Sequence, residues 1–194
     1  VLMNPIKREA LKQAILEVYF GKDAQQKQKK PYSTEVKSEI LYEPEQNYVR
    51  KVKRHIEAKH TEAREEYVNI RSSIFRKAIT EIYNGRCAIC GLQVKDQKNR
   101  PLVDACHIIP FAESYNDSVR NGIALSPTFH RAFDKGLLSL SDNYRVILHP
   151  QLKDSSVDFS LRQYENQEIY LPNDSQFHPS PKSLAYHRQW AGVE

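Results

Sequence analysis

Residues 106–134 read CHIIPFAESYNDSVRNGIALSPTFHRAFD. Two histidines, an asparagine and an aspartate are set among apolar pairs and turn residues. The run RPLVDACHII is apolar, partly β-branched and stopped by Pro110, which is strand character. FAESYNDSVRNG is polar, with turn chemistry at Asn121-Gly122. IAL suits a short return strand. SPTFHRAFDKG predicts a compact helix, with Ser126 as N-cap, Pro127 in the first turn and Gly136 as the stop. The local order is strand, loop, strand, helix.

Spacing then places the side chains. His107 falls on the first strand, and Asn121 where the loop meets the second. Asp134 is four residues beyond His130, so the two share one helix face. A neutral imidazole beside a carboxylate can hold Mg²⁺, Mn²⁺, Zn²⁺ or Ni²⁺. A strand histidine facing such an ion can take a proton from water. This is a layout for metal-assisted hydrolysis.

Working outward, LLSLSDNYRVILHP predicts a hairpin, and RCAICG a turn carrying Cys87 and Cys90. SSIFRKAITEIYNG predicts a helix capped by Ser72 or Ser73 and closed by Gly85, with Phe75, Ala78 and Ile79 on its core face. YVRKVKRHIEAKHTEAREEYVNI predicts one long charged helix whose narrow apolar face holds Ile56, His60, Ala63, Tyr67 and Ile70. A short strand is expected over residues 36–42. NPIKREALKQAILEVYFG predicts a helix capped by Asn4 and ended by Gly21, and residues 22–31 an exposed basic linker. Residues 151–194 should wrap the domain, with a helix near PKSLAYHRQW. His149, His178, His187 and Trp190 read as packing residues.

Composition narrows the classes. The chain has 194 residues and is 40% hydrophobic, enough for one domain with an appendage. A net charge of +5 and a pI near 9.0 favour anionic partners, nucleic acid first. No apolar run approaches the ~18 residues of a membrane span, and no signal-peptide pattern opens the chain. Three cysteines, two of them in a Cys-x-x-Cys, do not form a secreted disulfide framework. The expected compartment is the cytoplasm. A start at Val1 and not at Met fits a processed or an excised chain, and a longer parent with a recognition domain before Val1 is one expectation.

CAICG, LVDACHIIPFAES and NGIALSPTFHRAFDKGLLSLSD together resemble the HNH, or ββα-metal, endonucleases over residues 75–150. The branch most resembled is that of bacterial restriction endonucleases. The resemblance implies an α+β fold, a ββα-metal core with an N-terminal helical region. It divides the chain into a helical and linker region at 1–71, a nuclease domain at 72–150 and a C-terminal extension at 151–194 packing on that domain. It also implies metal-dependent hydrolysis of DNA phosphodiesters in restriction or antiphage defence. Mg²⁺ or Mn²⁺ would be the cofactor, with Zn²⁺ or Ni²⁺ as alternatives. DNA would be the partner, with no membrane, and a homodimer would let a one-site enzyme cut both strands.

By the same resemblance, His107 is the general base and His130 binds the metal. Asn121 holds the loop and orients the base, or reaches the metal shell. Asp134 occupies a position where relatives place another ligand. Arg131 and Lys135 contact phosphate or are surface charges. Two departures stand out. Cys106 takes the place where many relatives carry an Asp or His metal ligand. Asp104 points to the same strand face, so it can substitute by reaching further. No second Cys-x-x-Cys precedes His130, where the chain reads SPTF. Cys87 and Cys90 would hold a structural zinc only if Cys106 or a histidine completed four ligands; otherwise they close a knuckle turn. The competing readings are a catalytically weakened nucleic-acid-binding module and an RNA- or single-strand-directed nuclease.

Overall fold

The computed structural model describes residues 32–59, 61–156 and 158–193, with the backbone alone for Tyr32 and Ser33. The helix expected at 4–21 and the linker at 22–31 lie outside the described residues. Residues 36–194 form one compact unit.

Among the described residues three helices come first: α1 (Tyr32–Tyr42), α2 (Glu45–Glu57) and α3 (Thr61–Ile82). Residues 36–42 are therefore helical, not a strand. Val36 and Ile40 are both buried, and their spacing of four is one helical turn. Pro44 stands at the α2 N-cap with φ −54° and ψ 131°, a conformation that ends one helix and lets another begin. The single helix expected over 48–70 is broken at Ala58. In one straight helix His55 and Tyr67 would be ~18 Å apart. Here their rings stack at 5.2 Å, so α3 folds back on α2. Each helix buries its own stripe: Tyr48, Val52 and Ile56 on α2; Tyr67, Arg71, Phe75, Ala78 and Ile79 on α3. The α3 stripe runs without interruption past Ser72 and Ser73. Neither serine caps a helix, and α3 crosses the boundary expected at residue 72. Gly85, with φ +66°, closes α3 by donating its N–H to Thr80 O at 2.8 Å.

Arg71 is only 1% exposed. Its guanidinium donates to Tyr67 Oη at 3.0 Å, to Tyr48 Oη, to Glu39 Oε2 at 3.3 Å and to Asp117 Oδ1 at 3.4 Å. One side chain thus ties α1, α2 and α3 to the loop that follows the first strand. Burial, reinforced by the Glu39 carboxylate, holds the Asp117 carboxyl up at about 7.

The strand, loop, strand, helix order holds. β1 (Asp104–His107) pairs antiparallel with β2 (Gly122–Leu125), and His107 lies opposite Gly122. Between them, Phe111–Ser114 forms one helical turn, α4, and Val119–Asn121 a 3₁₀ turn. α5 (Pro127–Asp134) follows β2, and Gly136 turns the chain out of it with φ +64°. The expected hairpin is β3 (Leu138–Leu140) paired with β4 (Val146–Leu148). The tail closes with α6 (Pro181–Ala191), as the pattern near its C-terminus predicts. His187 of α6 is buried against Phe133 at 3.6 Å and bonded to Ser139 Oγ at 2.7 Å, a packing residue as expected.

Gly122 is set by a close approach. A Cβ there would lie 2.8 Å from the Phe75 ring and would also meet Ile79 Cδ1. Both neighbours are fully buried, so neither can swing into solvent. Gly122→Ala should therefore cost about 1–3 kcal/mol, the range for an overpacked core. Urea denaturation measures it, and an unchanged midpoint would contradict this packing.

Candidate active site

Three elements bring the site together. β1 carries Asp104, Cys106 and His107. α5 presents His130 and Asp134 on successive turns. α3 supplies the wall behind them. His107 and His130 line one cavity of about 480 Å³ together with Phe75, Arg76, Asp134 and Trp190.

The His107 ring lies flat on Phe75, with centroids 4.0 Å apart and planes within 8°. Its Nε2 is buried and has no hydrogen-bond partner. Burial, with smaller contributions from His130 and Arg76, pushes the imidazole down to about 4. The ring is therefore neutral at neutral pH and can accept a proton. Sequence reading assigned Phe75 to the core and gave Arg76 no role. Helical spacing marks Phe75 as buried, but nothing local shows that it is buried against the histidine.

His130 is held from both sides. Its Nδ1 is 3.3 Å from Asp104 Oδ2, and its Nε2 is 3.4 Å from Asp134 Oδ2. Asp104 thus meets the Nδ1 edge of the ring, opposite the edge that faces Asp134. Two residues of strand span ~6.6 Å. That offset carries Asp104 past the donor cluster, although it shares a strand face with Cys106. Carboxylates so placed commonly fix the tautomer of a metal-binding histidine. Cys106, fully buried, takes the inner place: its Sγ is 3.7 Å from Asp134 Oδ1. Burial first, then the Asp134 carboxylate, pushes its thiol well above the usual cysteine range. Among the described residues one cluster of metal-ligating groups forms, Cys106, His130 and Asp134, whose donor atoms lie within 4.8 Å of one another. An imidazole nitrogen and a carboxylate oxygen at this spacing fit a divalent cation.

Asn121 is fully buried and faces the loop. Its Oδ1 accepts from Ile109 N–H at 3.0 Å, while Nδ2 donates to Ile109 O at 2.9 Å and to Asn116 O at 2.8 Å. The amide holds the chain just after His107. Arg131 and Lys135 are exposed and line an open groove beside Asp104, His130 and Asp134.

Cys87 and Cys90 sit in a knuckle turn in which Gly91 N–H donates to Cys87 O at 3.0 Å. Among the described residues they belong to no group of three or more metal-ligating side chains, and two sulfurs fall short of a structural zinc site. Ser126 occupies the helix N-cap without capping through its side chain; its Oγ lies 4.0 Å from Cys90 Sγ instead. Beside it Phe129 meets Tyr164 edge-on at 4.9 Å. Aromatic packing from the C-terminal extension stabilises this end of the domain.

Residues 87–141 match the HNH endonuclease family. That stretch is similar to an HNH endonuclease domain. The ββα arrangement of β1, β2 and α5 lies inside it. Among solved structures, one described as "Modification dependent TagI restriction endonuclease" is similar, with 22% identity and a TM-score of 0.44 over 60% of this chain and 36% of that one. The chain thus spans about a third of that protein's length. No curated protein matches the chain.

Asn121→Asp replaces two N–H donors by a carboxylate facing two carbonyl oxygens. Leaving buried polar groups unpaired costs about 1–3 kcal/mol each, more with a charge. The variant should melt lower than Asn121→Ala, read by thermal denaturation. Equal melting temperatures would contradict the loop-holding role.

Proposed function

We propose that the protein is a metal-dependent endonuclease that hydrolyses DNA phosphodiester bonds. The observation that carries this reading is the convergence of the neutral His107 ring and the His130–Asp134 pair on one cavity, within the stretch that matches HNH endonucleases. His107 acts as general base. Its Nε2 is buried, so the proton of the attacking water passes to Nδ1. Phe75 holds the ring plane, and Asn121 holds the chain that follows it. His130 and Asp134 hold the divalent cation, and Asp104 fixes the His130 tautomer by accepting from Nδ1–H. A cation bound there would neutralise charge on the scissile phosphate and on the departing 3′ oxygen.

Arg76, Arg131 and Lys135 flank this centre and attract the phosphate backbone. Such contacts release counterions, so DNA affinity falls as salt rises. Restriction or antiphage defence is the setting that the sequence resemblance implies. The division at 1–71, 72–150 and 151–194 remains the working domain scheme, with α3 bridging the first two parts.

Supercoiled plasmid incubated with Mg²⁺, Mn²⁺, Co²⁺ or Zn²⁺, against EDTA, tests the reading. Nicking or linearisation should require the cation and should fall about 10²–10⁴-fold in His107→Ala, the usual contribution of a general base. Cleavage that survives EDTA or His107→Ala would refute it. RNA and single-stranded DNA run in parallel decide the substrate; faster cutting of either would overturn the duplex assignment.

A further inference from the structure

The donor set at the site is not the oxygen cage that Mg²⁺ prefers. The Cys106 sulfur and the His130 Nε2 approach the two oxygens of Asp134 at 3.7 and 3.4 Å. Bonds of ~2.0 Å to nitrogen or oxygen and ~2.3 Å to sulfur, at tetrahedral angles, put neighbouring donors roughly 3.3–3.5 Å apart. The two contacts run to different oxygens of Asp134, and with one donor atom per residue the three lie within 4.8 Å of one another, so drawing in by up to about 1 Å seats an ion. Asp104, the carboxylate that could have replaced the sulfur, is bonded to the opposite edge of the His130 imidazole. The Cys106 thiol is turned toward Asp134 Oδ1 and the His107 carbonyl, 3.4 Å away, so its sulfur is presented to the other two donors and not to the apolar core.

We infer that Cys106 is a thiolate ligand of the cation held by His130 and Asp134, and that the site selects zinc-like transition ions such as Zn²⁺ or Co²⁺ over Mg²⁺. Sulfur, nitrogen and oxygen donors together suit these ions, whereas Mg²⁺ demands near-octahedral oxygen ligands and keeps its waters. On binding, the thiol proton leaves to solvent and the metal–sulfur bond forms. The inference rests on the metal site of the nuclease reading, but the two fail separately. Cleavage that needs His107 while Cys106 shows no metal bond would overturn only the inference.

The test is a Co²⁺ titration of the metal-free full chain, read by the near-ultraviolet thiolate-to-cobalt charge-transfer band. The band should appear in the native chain, vanish in Cys106→Ser and persist undiminished in Cys90→Ser. Mg²⁺ at roughly a hundredfold excess should leave it in place. Absence of the band, its survival in Cys106→Ser, or its loss to Mg²⁺ would overturn the inference. If circular dichroism shows that Cys106→Ser does not fold, Cys90→Ser decides: an undiminished band supports ligation by Cys106, and a lost band assigns it to the knuckle cysteines.

Discussion

The flat contact between Phe75 and His107 is the constraint on which the site depends. Phe75 belongs to α3 and His107 to β1, so the stack fixes the long helix against the strand pair. It is available only because Gly122, opposite His107 in the ladder, has no Cβ to push Phe75 away. The same contact removes His107 from water and keeps it unprotonated. One apolar ring therefore sets the position, the plane and the charge state of the candidate base.

Polar groups hold the rest of this frame. Arg71, four residues before Phe75 on the same stripe, reaches Asp117 in the loop after β1. Asn121 pins the other end of that loop at Ile109. Asn116 adds a second tie to the helices by donating to Glu45 Oε1 at 2.8 Å, and His107 lies just ahead of the tie at Ile109. On the opposite side, Asp104 and Asp134 grip the two edges of the His130 ring. Asp104 and Asp134 orient His130, and Asn121 orients the backbone that follows His107.

The parts legible in the sequence were those whose evidence is local. Strand, loop, strand and helix follow one another within residues 104–134, and turn residues at Pro110, Asn121-Gly122, Ser126-Pro127 and Gly136 mark each boundary. The shared face of His130 and Asp134 follows from helical pitch. Failures arose where tertiary contact decided. Val36 and Ile40 fit either period over so short a run, and packing made them helical. The break at Ala58 carries no glycine or proline, and only the return of α3 onto α2 requires it. Strand alternation put Asp104 and Cys106 on one face correctly, but could not say which lay level with Asp134. Phe75 and Arg76 gave no functional signal because their partner lies some thirty residues away in the chain.

The most direct measurement of this account is the single-turnover DNA cleavage rate of Phe75→Leu at saturating metal, beside its metal affinity. Leucine keeps the position apolar but removes the flat surface beneath His107. The account predicts a rate lower by about tenfold or more, as misplacement of a catalytic group produces, with metal affinity unchanged because His130 and Asp134 are untouched. A rate equal to that of the native chain in a folded variant would contradict the claim that this stack positions the base.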